Sequence, residues 1–176
     1  MNNRKISTRS IVLGGIFVAA SIVLTRFFGF MIMGGTVRIA YGSVPLAMAG
    51  IILGPIVGTL AGVVADLVGV LLMPQGTFFP GFTLSSALQG LIPALIVHKL
   101  YIDKSVPFQK VAVGTAIAIV VTTIVVALGL NTLWLTILFK KAFMVLLPTR
   151  VLASAIIGGT SILITVLLLK VLRNKL

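Results

Sequence analysis

Apolar runs dominate this chain, and polar residues interrupt them at short intervals. After a basic head with Arg4, Lys5 and Arg9, the stretch Ser10 to Thr25 is apolar. The run continues past Ala19-Ala20-Ser21, so it reads as an uncleaved first membrane helix rather than a secretory leader. The second run, Ser43 to Leu53, holds Pro45. It is too short to cross ~30 Å of hydrocarbon upright. Its ends are therefore expected to be irregular and buried in protein. A third run starts at Pro55, a residue suited to the first helical position, and continues to Met73 with one interruption, Asp66. A fourth runs from about Gly81 to Leu100, with Pro93 as the expected kink. A fifth covers about Val111 to Leu130, and the last about Val151 to Val171. The pattern predicts an all-α, polytopic membrane protein, a compact bundle of six transmembrane helices forming one domain over 1–176.

The connections differ from ordinary spacers. Arg26 to Arg38 reads RFFGFMIMGGTVR, and Thr36 to Tyr41 can pair briefly as an extended segment. Between the third and fourth helices, Pro74 to Pro80 carries Gln75, Thr77 and the adjacent rings of Phe78 and Phe79. Polar atoms beside exposed rings at a helix end suit a small-molecule site, and they equally suit an interfacial anchor. The fifth helix ends in Asn131-Thr132-Leu133-Trp134. Asn131 and Trp134 are three apart and share a face.

Composition agrees with the pattern. The chain is 59% hydrophobic and 9% charged, against roughly 25% charged in a soluble domain. Cysteine is absent, so no disulfide framework is expected. The net charge of +12 sits at segment ends instead of on one face. That argues for a lipid bilayer as partner and against nucleic acid. With six spans the termini share a side. That side collects Arg4, Lys5, Arg9, Lys99, Lys104, Lys110, Lys170, Arg173 and Lys175, nine against five. The excess places both termini in the cytoplasm. The outer side then holds the aromatic loop and five cations with no acid, which suits an anionic ligand with a flat ring system. Lys140 and Lys141 are assigned to lipid headgroups.

Few residues carry chemistry. Asp66 lies about 16 Å along the third helix from Pro55, near the bilayer midplane, where a carboxylate serves either a function or assembly. His98 neighbours Lys99 in what reads as a solvated loop, and one histidine makes no metal site. Two aspartates on separate segments do not form the carboxylate cluster of a metal-dependent lipid transferase. No catalytic residue, metal or cofactor is expected. Two stripes of small residues permit close helix approach: Gly15 with Ala19, and Gly54 with Gly58 and Gly62. The first reads either as a docking face or as packing within the bundle.

Taken together, these residues give the chain a likeness along its full length. Six short helices, a basic head and the Gly15–Ala19 stripe resemble a substrate-binding S component of an energy-coupling-factor vitamin transporter. Such proteins more often have alanine at both stripe positions. Within that family, the runs Asp66 to Gly69 and Gln75 to Leu84 are similar to folate-specific members. The resemblance implies a multi-pass protein of the bacterial cell membrane that captures folate, or a related vitamin such as riboflavin, thiamine or pantothenate. It implies docking on a transmembrane coupling protein of the EcfT type with two cytoplasmic ATPases, then toppling and inward release. The chain has no Gly-x4-Gly-Lys-Ser/Thr motif, so ATP hydrolysis falls to a partner. For folate, Arg26, Arg38 or Arg150 can grip the two glutamate carboxylates. The pterin can stack on Tyr41, Phe78, Phe79 or Trp134. Among the amides of Gln75, Asn131 and Gln89, Asn131 and Gln75 are the preferred partners of its amino-lactam edge, Asp66 being set too deep. Gly15 and Ala19 are the expected docking residues. A small membrane enzyme and a ligand-free scaffold are the competing classes.

Overall fold

The computed structural model describes residues 7–32, 37–74, 77–140 and 143–175. Helix α1 is Thr8–Arg26, opened by the Ser7 hydroxyl, which accepts from the Ser10 N–H at 3.2 Å. Strands β1 (Phe30–Ile32) and β2 (Val37–Ile39) pair antiparallel, with Met31 opposite Arg38. Then follow α2 (Ser43–Leu53), α3 (Pro55–Leu72) and α4 (Pro80–Ile102). Helix α5 (Phe108–Thr122) passes into a π-helical segment, Thr123–Leu130, and on into α6, Asn131–Phe139. Helix α7 is Phe143–Lys175.

Five helical stretches among the described residues are long and apolar enough to cross a membrane, with α2 as a shorter sixth. This is the expected all-α bundle. Helix α2 is sunk in protein along Val44 to Ile51, while its end residues Ser43, Ile52 and Leu53 are half-buried between buried Gly42 and Gly54. The other helices present leucine, isoleucine and valine outward, among them Ile11, Leu60, Leu95, Ile117, Leu152 and Leu163.

Two boundaries correct the sequence reading. The fifth helix does not stop near Leu130. It runs unbroken from Phe108 to Phe139, because a π turn widens a helix without ending it. It stops at Lys140, whose φ of 52° is left-handed. The last helix begins before Pro148, which α7 carries inside its N-terminal part. His98 is a third correction. It lies on α4, not in a solvated loop. Its Nδ1 is 2.8 Å from the Ile51 carbonyl oxygen, and its ring sits over Gly54. Gly54, at φ 97°, makes the sharp turn from α2 to α3 that a side chain would strain.

Glycines lock α2, α3 and α4 together. A Cβ on Gly58 would lie 2.5 Å from the Cα of Gly50. One on Gly62 would strike the Ser86 carbonyl, and one on Gly90 would strike the Gly58 carbonyl. The Gly54–Gly58–Gly62 stripe therefore packs inside the bundle. Against this knot, Phe17, Val18 and Ile22 of α1 cover Leu46, Ala49, Ala61 and Ala65. At the end of the bundle nearer the termini, Ile51, Val97, Tyr101, Val111, Ala118 and Leu169 form a second cluster.

Candidate functional site

A cavity of about 590 Å³ opens in the half of the bundle away from the termini. That is the size of an ordinary small-molecule site. The C-terminal ends of α1, α3 and α6 meet there with the N-terminal ends of α2, α4 and α7.

One wall is built by α1, α3 and α4. Asp66 lines it, accepting from the Thr83 hydroxyl at 2.7 Å. The carboxylate thus faces the cavity and also ties α3 to α4, so it is not too deep to meet a ligand. Arg26 lines the same wall. It crosses Gly69, where its Nε would come within 3.0 Å of an added Cβ, and donates from NH1 to the Met73 carbonyl at 3.1 Å. Phe78, Phe79 and Phe82 close the mouth beside it.

The opposite wall comes from the π segment, α6 and α7. Arg150 donates from NH2 to the Ala127 carbonyl at 3.2 Å, while its Nε is buried with no partner. The wide π turn leaves that carbonyl available to a side chain. Asn131 also lines the cavity, and its Oδ1 is buried without a partner. A guanidinium edge and an amide oxygen left unpaired in an apolar bundle are costly unless something fills the space between the walls.

Trp134 and Tyr41 are not on the cavity surface. The Trp134 indole N–H donates to the Ser85 hydroxyl at 3.1 Å, and its ring packs on Phe79 with centroids 5.5 Å apart. It backs a cavity-lining ring, that of Phe79. The Tyr41 and Thr160 hydroxyls pair at 3.1 Å, joining the start of α2 to α7. Gln75 lies outside the described residues, as does the side chain of Arg38. Among the described residues no three His, Cys, Asp or Glu groups gather as a metal site.

Gly15 and Ala19 lie elsewhere. Both are exposed on α1, and a Cβ on Gly15 would meet nothing within 4 Å. Gly14, turned about 100° from Gly15, is the residue that packs inward, on Val57.

Comparison with known proteins decides the family. The model described as ECF-type riboflavin transporter, S component, matches residues 5–174. The chain belongs to the S components of ECF-type transporters. Among curated relatives, the folate transporter FolT of Clostridium novyi is 36% identical over 139 residues, covering 79% of this chain and 75% of that protein. The FolT of Leuconostoc mesenteroides subsp. mesenteroides is 26% identical over 138 residues, 78% and 69% of the two chains. A crystal structure of FolT bound with folic acid superposes with a TM-score of 0.79 at 28% identity, covering 95% of this chain and 98% of that one. A structure of the S component of a bacterial ECF transporter gives 0.70 over 94% and 96%; at 24% identity it shows the shared fold alone.

Several lining residues of this S component escaped the sequence reading. Ser154, Gly158, Ser161 and Thr165 line the cavity from α7, and Ser43, Ser86 and Thr122 from its neighbours. The α7 set recurs at spacings of four, three and four, which is one helical face. That periodicity was available in an otherwise apolar segment.

Proposed function

We propose that this S component binds folate in the cavity and hands it to an ATPase-driven coupling module. The observation that carries the ligand is the pairing of two arginines, Arg26 and Arg150, with the rings of Phe78, Phe79 and Phe82 around one membrane cavity. Folate joins two carboxylates to two aromatic ring systems. Guanidinium forks suit its carboxylates, and Arg38 and Gln75 remain candidates from the sequence reading alone. Phe78 and Phe79 offer ring faces, with Trp134 packed behind Phe79. The unpaired Asn131 amide oxygen accepts a hydrogen bond from the ligand. The two FolT relatives and the folic acid complex support this choice of ligand.

Docking on a transmembrane coupling protein, itself joined to two cytoplasmic ATPases, is assigned to the outward Gly15–Ala19 stripe. A partner helix can approach closely there. The excess of lysine and arginine on the terminal side supports cytoplasmic termini and a cavity opening outward.

A second reading has one observation in its favour: the matching family model is described for riboflavin. Riboflavin has a flat ring but no carboxylate to match the two cavity-lining guanidiniums. Titration calorimetry on the purified chain with folate, riboflavin and thiamine separates the readings. Tight folate binding is expected. Riboflavin heat with none from folate would overturn the ligand and keep the family.

A further inference from the structure

In this bundle hydroxyls on helices mostly follow one rule, which is to find a partner: Ser21 donates to the Gly42 carbonyl, Thr83 to Asp66 and Thr132 to the Ala127 carbonyl, and Ser85 accepts from Trp134. Thr59, Thr115, Thr122, Thr136 and Thr160 each donate to the carbonyl four residues earlier, the usual way to satisfy a hydroxyl in an apolar medium. Ser161 and Thr165 break it. They are 4% and 0% exposed, their hydroxyl oxygens are buried, and neither has a partner. Both line the cavity.

Their depth can be read from the helices. At 1.5 Å per residue, Pro93, Ile119 and Thr165 stand roughly 14–17 Å from the terminal-side ends of α4, α5 and α7. Gln89, Thr122 and Ser161 stand one level higher, roughly 20 Å from the same ends. All six line the cavity, so the two layers form its floor. Thr122 already spends its hydrogen on Ala118. Gln89 adds an amide, so the floor offers two unspent hydroxyls and one carboxamide between Pro93 and Ile119. Arg150 lies on the same helix eleven residues above Ser161, roughly 16 Å away. An extended pteroylglutamate matches that length.

We infer that Ser161 and Thr165, with Gln89, form a floor subsite that reads the polar edge of the ligand's ring, so folate enters ring first with its carboxylates at the mouth. This rests on the folate reading above. It moves the ring edge away from Asn131, which stands with Arg150 at the upper level. Hydroxyls can donate to the ring carbonyl or accept from the ring amino group, and the carboxamide can do both. Pro93 and Ile119 bound the ring without competing for its hydrogen bonds.

The test is a Ser161→Ala, Thr165→Val pair in the purified full chain, titrated with folate and with pteroate, which has the same ring and no glutamate. Melting of the ligand-free proteins is measured alongside. Removing each hydroxyl should weaken both ligands alike, by about tenfold, near the upper end for a neutral hydrogen bond. The ligand-free variant should melt at or above wild type, because unpaired hydroxyls contribute no bond to lose. Unchanged folate affinity overturns the subsite, whether a water or nothing sits on the floor. So does a loss confined to folate, which would put the hydroxyls at the glutamate. A variant that melts well below wild type shows a structural role and also overturns it. If the wild-type chain takes no folate, the ligand reading fails first and this inference falls with it, a result distinguishable from the others.

Discussion

Gly62→Ala is the sharpest test of the α2–α4 knot. A Cβ there would strike the Ser86 carbonyl oxygen and stand 2.6 Å from the Ser86 carbonyl carbon and 2.9 Å from the Ala87 Cα. All three atoms are backbone, so no rotamer can relieve the contact. Carbon atoms pack best at about 3.5–4.0 Å, so α3 and α4 must part by roughly 1 Å. Overpacking of this kind costs about 1–3 kcal/mol. Alanine returns up to about 1 kcal/mol through helix propensity. The net expectation is a loss of about 1–2 kcal/mol, or a melting point lower by roughly 2–8 °C for a chain of this size. Gly159→Ala is the matched control. It lies exposed on α7 with nothing within 4 Å of an added Cβ, so it keeps the propensity gain without the clash. Circular dichroism melts of both variants in one detergent make the comparison. Parting α3 from α4 also stretches the Thr83–Asp66 bond, so folate affinity of Gly62→Ala should fall too. A Gly62→Ala protein melting with or above Gly159→Ala would refute the packing argument.

Other expectations can be checked separately. Arg150→Ala should weaken folate by roughly 1.5–3 kcal/mol, the range for a charge-assisted bond, and pteroate much less by calorimetry. Trp134 is the sole tryptophan and rests on a cavity-lining ring, so folate should quench intrinsic fluorescence saturably; a flat titration alongside calorimetric binding would contradict its placement behind Phe79. Ala19→Trp should keep folate binding by the isolated subunit and abolish ATP-dependent uptake in the assembled complex; joint loss would mean the stripe packs inside. Asp103 accepts from the Ser105 hydroxyl at 2.6 Å and its N–H at 2.9 Å, and these bonds, the hydroxyl first, hold its carboxyl below the ordinary 3.8. A depressed folded value means the turn's stabilisation is present above the ordinary value and lost as pH falls through the folded one, so the melting difference between wild type and Asp103→Ala should vanish in acid.

Punctuation made most of the fold legible. Gly54-Pro55 marked the turn between α2 and α3, and both helices begin and end within a residue of the expected places. Where punctuation is absent, the reading failed. Nothing in Thr123–Leu130 announces a π segment, because a wide turn needs no glycine or proline. Pro148 looked like a boundary, yet a proline inside α7 is tolerated where its missing bond falls near the helix start. His98 was misjudged from its neighbour Lys99. Adjacent helical residues point about 100° apart, so one can face solvent while the other meets the Ile51 carbonyl. Trp134 was read by residue type, as a ring for the ligand. Its actual role depends on Ser85 and Phe79, which only the folded bundle brings beside it.

Six buried side-chain polar atoms among the described residues have no partner, and four of them line the cavity, the other two being the Tyr101 hydroxyl and one Arg173 nitrogen. A membrane bundle has strong reason to satisfy every buried polar group internally, and most of this one does so. The exceptions lining the cavity are Arg150 Nε and Asn131 Oδ1 at the upper level, with the Ser161 and Thr165 hydroxyls on the floor. Each unpaired group costs about 1–3 kcal/mol of folded-state stability. A sequence selected only for a stable bundle would place leucine or valine at these positions. Arginine, asparagine, serine and threonine on cavity-facing positions are retained stability losses, and a bound molecule with matching donors and acceptors recovers them. The spacing of the four, one pair at the mouth and one at the floor, fits the proposed ligand, which has polar groups at both ends and rings between.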